Sequence, residues 1–207
     1  MATVSPMDVK DMELLKDEGG GLMMELGIST MTFYKGEFQT TAEALRAQFV
    51  QVVAANPWLA GRLVKGKDGV VLRHPVEPGD SKEIDGLFKT TSAAESMKSL
   101  GFKISPSTPY AQTCRDLFYT GSGKVVVADG YSLVGSDKPV TLLSLVESSE
   151  GAFALIFSMS HVIGDGRTYY EIFKMLQPGV AVRPLECKRV HSFREDMKNT
   201  YGRKELD

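Results

Sequence analysis

The sequence predicts an α+β domain in which a β-sheet is covered by helices. Three observations carry this. Residues 140–146 and 152–159 are apolar runs joined by a short turn-rich stretch, the pattern of an antiparallel hairpin. The second run is apolar at both alternating positions, which places it centrally in a sheet with both faces covered. Two sets of apolar residues, Leu45, Phe49, Val52, Val53 and Tyr169, Ile172, Phe173, Leu176, recur at helical spacing and supply covering faces.

The remaining elements follow in order. Residues 1–27 are polar, rich in methionine and broken by Gly19-Gly20-Gly21, so a loose N-terminal arm is expected. Residues 28–33 are β-branched and aromatic and read as a strand. Thr40 with Glu43 three residues on has the form of a capping box that opens a helix. Asn56-Pro57 ends that helix, because proline disfavours the α conformation in the residue before it. Residues 62–64 and 70–73 read as short strands around the turn Lys67-Asp68-Gly69. Residues 92–100 suit a short helix closed by Gly101, and 105–109 a loop. Residues 125–127 suit a strand. After the 140–159 hairpin, with its turn at 147–151, a helix starts near Asp165 and stops at Pro178-Gly179. The rest is a polar tail with a helix around 193–198. The expected organisation is an arm at 1–27, a domain at 28–180, and a tail or linker start at 181–207.

Composition bounds the function. A chain of 207 residues suits one domain and needs no disulfides for its core. A net charge of −2 gives no support to nucleic-acid binding, which needs a concentrated basic surface. The mildly basic stretch 188–204 is interrupted by Glu195 and Asp196 and reads as a solvated helix face. Cys114 and Cys187 are far apart, without Cys-x-x-Cys, as in reduced thiols of a cytoplasmic protein. No secretory signal and no apolar run of membrane-spanning length is visible, so no membrane partner is expected.

The stretch that carries chemistry is His161-Val162-Ile163-Gly164-Asp165-Gly166, of the form His-x-x-x-Asp-Gly, between the apolar strand and the amphipathic helix. If the strand runs on, His161 shares a face with Phe153, Leu155, Phe157 and Met159. Imidazole is the side chain suited to accept and return a proton near neutral pH. The plain alternative is a strand-end histidine bonded to backbone. Asp165 has two readings: a carboxylate that orients His161, or a helix-start carboxylate that satisfies free backbone N–H groups. Gly166 would permit close packing of the turn. A metal site would need His191 and Cys187 to join His161 and Asp165; the spacing is too loose for zinc, and no metal is expected. Thr120-Gly121-Ser122-Gly123-Lys124 lacks the first glycine and the final hydroxyl residue of a phosphate loop and reads as a hairpin turn.

The His-x-x-x-Asp-Gly stretch resembles the active-site motif of the chloramphenicol acetyltransferase-like superfamily, which includes BAHD acyltransferases and condensation domains. Asn56-Pro57-Trp58-Leu59-Ala60-Gly61-Arg62-Leu63 is similar to a segment near the N-terminus of BAHD members. The resemblance spans roughly 28–176 and is thin between about 75 and 138. It implies a two-layer sandwich with a mixed β-sheet covered by helices, one half of the usual two-domain pseudo-dimer. It implies that His161 is the general base of an acyltransferase moving an acyl group from a thioester, a coenzyme A thioester, to a hydroxyl or amine acceptor. No cofactor would be permanently bound. Asp165 would be structural, facing away from the site and pairing with an arginine; Arg62 is a candidate for that partner, with an ordinary surface arginine as its other reading. Ser160 stands where some members carry a second histidine. The Asp-Phe-Gly-Trp-Gly signature of the second BAHD half is absent from this sequence. The partners implied are small-molecule donor and acceptor, with either a homo-oligomer or a further C-terminal half supplying the opposite wall. A truncated or non-catalytic binding module of the same fold is the alternative. Exposed apolar area around the His161 strand end, joined by Tyr169-Tyr170, would mark that interface.

Overall fold

A computed structural model describes residues 8–77, 81–148 and 151–201. The first strand, β1 (Val9–Glu13), lies in the segment expected to be a loose arm. It pairs antiparallel with β4 (Val70–Pro75), from Val9 opposite Pro75 to Glu13 opposite Val71. The arm reading is corrected for these residues. Backbone pairing holds a strand whose side chains are mostly exposed, so no apolar alternation announced it. Leu14, just beyond it, is buried in the core. The expectation for 1–7, for Ser149 and Glu150 of the later turn, and for 202–207 of the tail lies outside the described residues.

β2 (Ile28–Lys35) runs into α1 (Phe38–Ala55). Phe49, Val52 and Val53 of α1 are fully buried, as the helical spacing requires. The predicted capping box at Thr40 is not formed. The helix begins earlier, after the extended Glu37, whose carbonyl accepts from Thr41 Oγ1 at 2.7 Å, while Glu43 pairs with Gln39 instead. Asn56 ends α1, followed by a short 3₁₀ turn at Pro57–Ala60 that buries Trp58 and Leu59. β3 (Arg62–Lys65) then pairs antiparallel with β4 across the expected turn.

α2 (Ser81–Leu87), β5 (Phe88–Thr91) and α3 (Ala93–Leu100) follow. Gly101 closes α3 in the left-handed region at φ 80°, with its N–H on the Met97 carbonyl at 3.1 Å. α4 (Tyr110–Arg115) runs into one wide turn, Asp116–Thr120, closed by the Gly121 N–H on the Asp116 carbonyl. Residues 125–127 do not form the predicted strand. They make a single bridge, Ser122 to Val126, and are held by side chains: Ser158 Oγ accepts from the Val127 N–H, and Ser144 Oγ donates to the Val125 carbonyl. The 120–124 segment is a tight loop rather than a hairpin turn, and Lys124 donates to the Leu100 carbonyl.

After α5 (Gly130–Leu133) come the hairpin strands β6 (Thr141–Glu147) and β7 (Ala152–Met159), then α6 (Gly166–Met175) and α7 (Phe193–Tyr201). The larger sheet has the order β2-β7-β6-β5, antiparallel except for the parallel β5–β6 pair. β7 is therefore central, as its two-sided apolarity requires. Phe153, Phe157 and Met159 join the main core with α1 and α6. Ala154 and Ile156 face a second cluster built from Leu100, Phe102, Ile104, Leu117, Val125 and Val126. A mixed sheet with covering helices is the α+β arrangement expected; the small β1-β4-β3 sheet beside it is an addition.

The tail is more than a polar appendage over 181–190. It runs without helix or strand as a strap tied to the end of α1 and to α6, with Val182, Leu185 and Cys187 against the core. Buried Asn56 holds it: its Oδ1 accepts from the Leu185 N–H at 2.8 Å and its Nδ2 donates to the Arg183 carbonyl at 3.1 Å.

Candidate active site

β7 ends at Met159, and the chain turns away from the sheet through residues 160–165. Ser160 is buried, and its N–H donates to the Val140 carbonyl at 2.8 Å, so the turn begins tied to the residue that leads into β6. Val162 and Ile163 drive their side chains into the core, and the Ile163 N–H donates to the Ser160 carbonyl at 3.3 Å. His161 sits on the crest of this anchored turn and is half-buried. It does not continue the strand.

Among the described residues, neither ring nitrogen of His161 has a hydrogen-bond partner. Nδ1 is buried and Nε2 is the accessible one. The strand-end alternative, a histidine bonded to backbone, is therefore not what the geometry shows. Buried polar atoms are nearly always paired, so an orphaned Nδ1 is a position that asks for an explanation. With the proton on Nδ1, Nε2 presents a lone pair outward.

Asp165 takes the helix-cap role. Its backbone is extended, with φ −83° and ψ −179°, and Oδ1 accepts from the Thr168 N–H at 2.8 Å. Those hydrogen bonds from Thr168, backbone first, hold its carboxyl below the usual aspartate range. Asp165 is exposed, and Arg62 is not its partner. Arg62 instead donates to the Ala60, Gly61 and Asp137 carbonyls at 2.9 Å each, with the Asp137 carboxylate 3.6 Å away. The Arg62–Asp165 pairing is corrected: β3 sends Arg62 toward the loop before β6.

Gly166 does not pack the turn either; a Cβ there would meet open space. The crowded glycine is Gly164, where a Cβ would lie 2.9 Å from Thr168 Cγ2 and 3.0 Å from Met159 Cε. The motif's x positions hid it, although a glycine within a tight strand-to-helix turn is itself a signal.

Tyr169 is fully buried rather than part of an exposed patch. Its hydroxyl donates to the Phe157 carbonyl and accepts from Thr30 Oγ1, both at 2.8 Å, which locks α6 onto β7 and β2. Burial pushes its pKa up to about 12. Tyr170 is exposed and crosses the Tyr169 ring edge-on at 5.3 Å. Exposed Leu22 and Leu26 lie just before Ile28, which pairs with Met159, so they flank the same sheet end. Exposed Tyr131 joins them there, since the neighbouring Gly130 N–H donates to the Glu25 carbonyl at 3.3 Å.

A cavity of about 450 Å³ lies elsewhere, lined among others by Ala60, Arg62, Arg73, His74 and Ser136, and His161 is not part of its lining. Among the described residues, no group of three or more His, Cys, Asp or Glu could hold a metal, and His191 and Cys187 do not gather around His161. No described helix is long and apolar enough to cross a membrane.

No protein-family model matches the chain, and no curated protein matches it in sequence. Solved structures match in fold. TRI101 of F. sporotrichioides, solved with coenzyme A and T-2, aligns over 81% of this chain and 40% of its own, at 17% identity and a TM-score of 0.52. The first condensation domain of the calcium-dependent antibiotic synthetase, in complex with a substrate analogue, aligns over 93% of this chain and 46% of its own, at 14% identity and a TM-score of 0.54. Polyketide synthase associated protein 5 of Mycobacterium tuberculosis aligns over 93% and 40%, at 14% identity and a TM-score of 0.53. The chain has the chloramphenicol acetyltransferase-like fold and spans less than half the length of these structures.

Proposed function

We propose that this chain supplies the general-base half of an acyltransferase, with His161 as the base and a coenzyme A thioester as donor. The observation that carries the reading is the unpartnered His161 imidazole, held on an anchored turn with Nε2 outward. It sits in a fold shared with TRI101, which was solved with coenzyme A. The acceptor is a hydroxyl or amine. Nε2 takes its proton as the oxygen or nitrogen attacks the thioester carbonyl carbon. The resulting tetrahedral oxyanion collapses with cleavage of the C–S bond, and the imidazolium returns the proton to the departing thiolate. The products are an ester or amide and free coenzyme A. A base placed this way contributes about 10²–10⁴-fold.

Asp165 and Gly164 shape the turn and touch no substrate in this mechanism. The wall opposite His161 comes from a second copy of the chain or a further chain segment. Exposed Leu22, Leu26, Tyr131 and Tyr170 are the surface offered to it. The chain's span of about two-fifths of its structural neighbours favours one other reading, a binding module without turnover.

Thiol release from a panel of acyl-coenzyme A donors with alcohol and amine acceptors tests both. His161→Ala should abolish release while leaving stability within about 0.5 kcal/mol, since a half-exposed, unpaired side chain contributes little to the fold. Equal release by the folded variant would remove His161 from the mechanism. Donor binding without turnover in the assembled protein would favour the binding module.

A further inference from the structure

The turn that carries His161 is fastened from below by a residue far along the chain. Arg189, in the strap after α6, reaches the Ile163 carbonyl with one terminal nitrogen at 3.0 Å. That nitrogen also lies 3.0 Å from Glu18 Oε1, and Arg189 Nε lies 3.1 and 3.2 Å from the two Glu18 oxygens. The other terminal nitrogen donates to the Cys187 carbonyl at 2.7 Å and lies 3.5 Å from Met12 Sδ. Glu18 is itself fixed, because Oε2 accepts from the Leu15 N–H at 2.9 Å. The side chains are 9% and 16% exposed, against 27–105% for those of the other ion pairs among the described residues.

An exposed pair of this kind would mean little for the fold. A largely buried one needs its remaining donors satisfied, and here they are: by a carboxylate and two backbone carbonyls. Only a planar guanidinium offers donors in that fixed fork; a lysine ammonium cannot serve the same set in the same geometry. One of the two carbonyls belongs to Ile163, two residues from His161. The clamp thus joins the segment after β1, the strap and the His161 turn.

We propose that Arg189, held by Glu18, is the positioning residue that sets where His161 presents its imidazole. The role rests on the reading of His161 as the base, but the clamp itself can be tested without it. Arg189 touches no substrate in this proposal; it acts through the Ile163 carbonyl.

The test uses the full chain with ¹⁵N-labelled histidine. Three histidines are present, His74, His161 and His191, so His161→Gln assigns the ring signals. Arg189→Met alone would leave the Glu18 carboxylate buried and unpaired and can fail to fold. The double variant Glu18→Met with Arg189→Met removes both charges and still strips the Ile163 carbonyl of its donor. Its His161 ring signals and their titration midpoint should move, while those of exposed His191 stay in place. The kcat of thiol release should fall by roughly 10²-fold, the scale set by displacing a reacting group by about 1 Å, with KM nearly unchanged. Arg189→Lys should behave as the double variant does, and Glu18→Gln should fall between it and the wild type. His161 signals that titrate as in the wild type, in a folded double variant, overturn the proposal, whatever the activity shows. Moved signals in a protein whose wild type releases no thiol would keep the clamp and discard the base.

Discussion

Replacing Asp165 by alanine separates two quantities that the sequence left joined. A helix cap contributes about 0.5–2 kcal/mol, whereas breaking a buried ion pair costs roughly 3–5 kcal/mol. The structure selects the first. Asp165 is exposed, bonds to the Thr168 N–H at 2.8 Å, and stands apart from Arg62, whose donors are taken by three carbonyls. Its charge at the N-terminus of α6 adds about 0.3–1 kcal/mol. Asp165→Ala should therefore lose about 1–2 kcal/mol and lower Tm by about 2–8 °C, at ~2–4 °C per kcal/mol for a domain of this size. Asp165→Asn keeps a capping oxygen and should lose only the charge part. The pH dependence follows from the lowered folded pKa, caused by the hydrogen bonds from Thr168. A depressed carboxyl contributes stability that is fully present above the unfolded value, about 3.9, and lost as pH falls through the folded one. Urea unfolding at pH 7 and again below pH 4 should show the gap between wild type and Asp165→Ala narrowing in acid. A loss of 3 kcal/mol or more at pH 7 would mean a buried partner. A gap that stays constant into acid would refute the charge argument.

Two further substitutions read the packing around the turn. Gly164→Ala places a Cβ 2.9 Å from Thr168 Cγ2 and 3.0 Å from Met159 Cε, so it should destabilise by about 1–3 kcal/mol in denaturant unfolding, while Gly166→Ala, in open space, should not. Tyr169→Phe should cost about 1–3 kcal/mol by leaving the Phe157 carbonyl and Thr30 without their partner. Because burial raises the Tyr169 pKa to about 12, its contribution is fully present below the unfolded value near 10 and lost as pH rises through 12. The alkaline loss of stability should be smaller in the phenylalanine variant.

What could be read from the sequence was whatever local pattern decides. Two-sided apolarity over seven of eight residues, all but Ser158, put Ala152–Met159 in the sheet centre, and Gly101 closed α3 where a left-handed residue was needed. Asp165 was legible as a cap because the chemistry of a cap is short-range. Patterns failed where pairing or long-range contact decides. β1 is mostly exposed and held by main-chain bonds to β4, so its side chains carried no signal. The second core face is covered by 100–127, built of one short helix, a wide turn and loops, without any period to detect. At Thr40 a motif matched by letter while the helix began at Phe38. The Arg189 clamp joins residues more than 140 positions apart to one carbonyl, and nothing local marks Glu18 or Arg189 as different from solvated charges.

The anchored side of His161 and its open side imply different kinetics for the two possible walls. Everything that fixes the turn, from Ser160 to Thr168, belongs to this chain. The oxyanion of the proposed reaction needs donors aimed where charge develops, in a site from which water is excluded, and losing one such donor costs about 10²–10³ in kcat. A half-exposed imidazole at a sheet end provides no such enclosure by itself. If a second copy closes the site, thiol release per chain should rise with protein concentration and plateau where light scattering shows the oligomer complete. In a closed ring of three or more copies the contact would be heterologous, one face of each copy meeting a different face of the next. If a further segment of chain closes it instead, release per chain should stay low at every concentration and appear on adding that segment. Full turnover by a strictly monomeric chain at nanomolar concentration would refute both, and with them the need for an opposing wall.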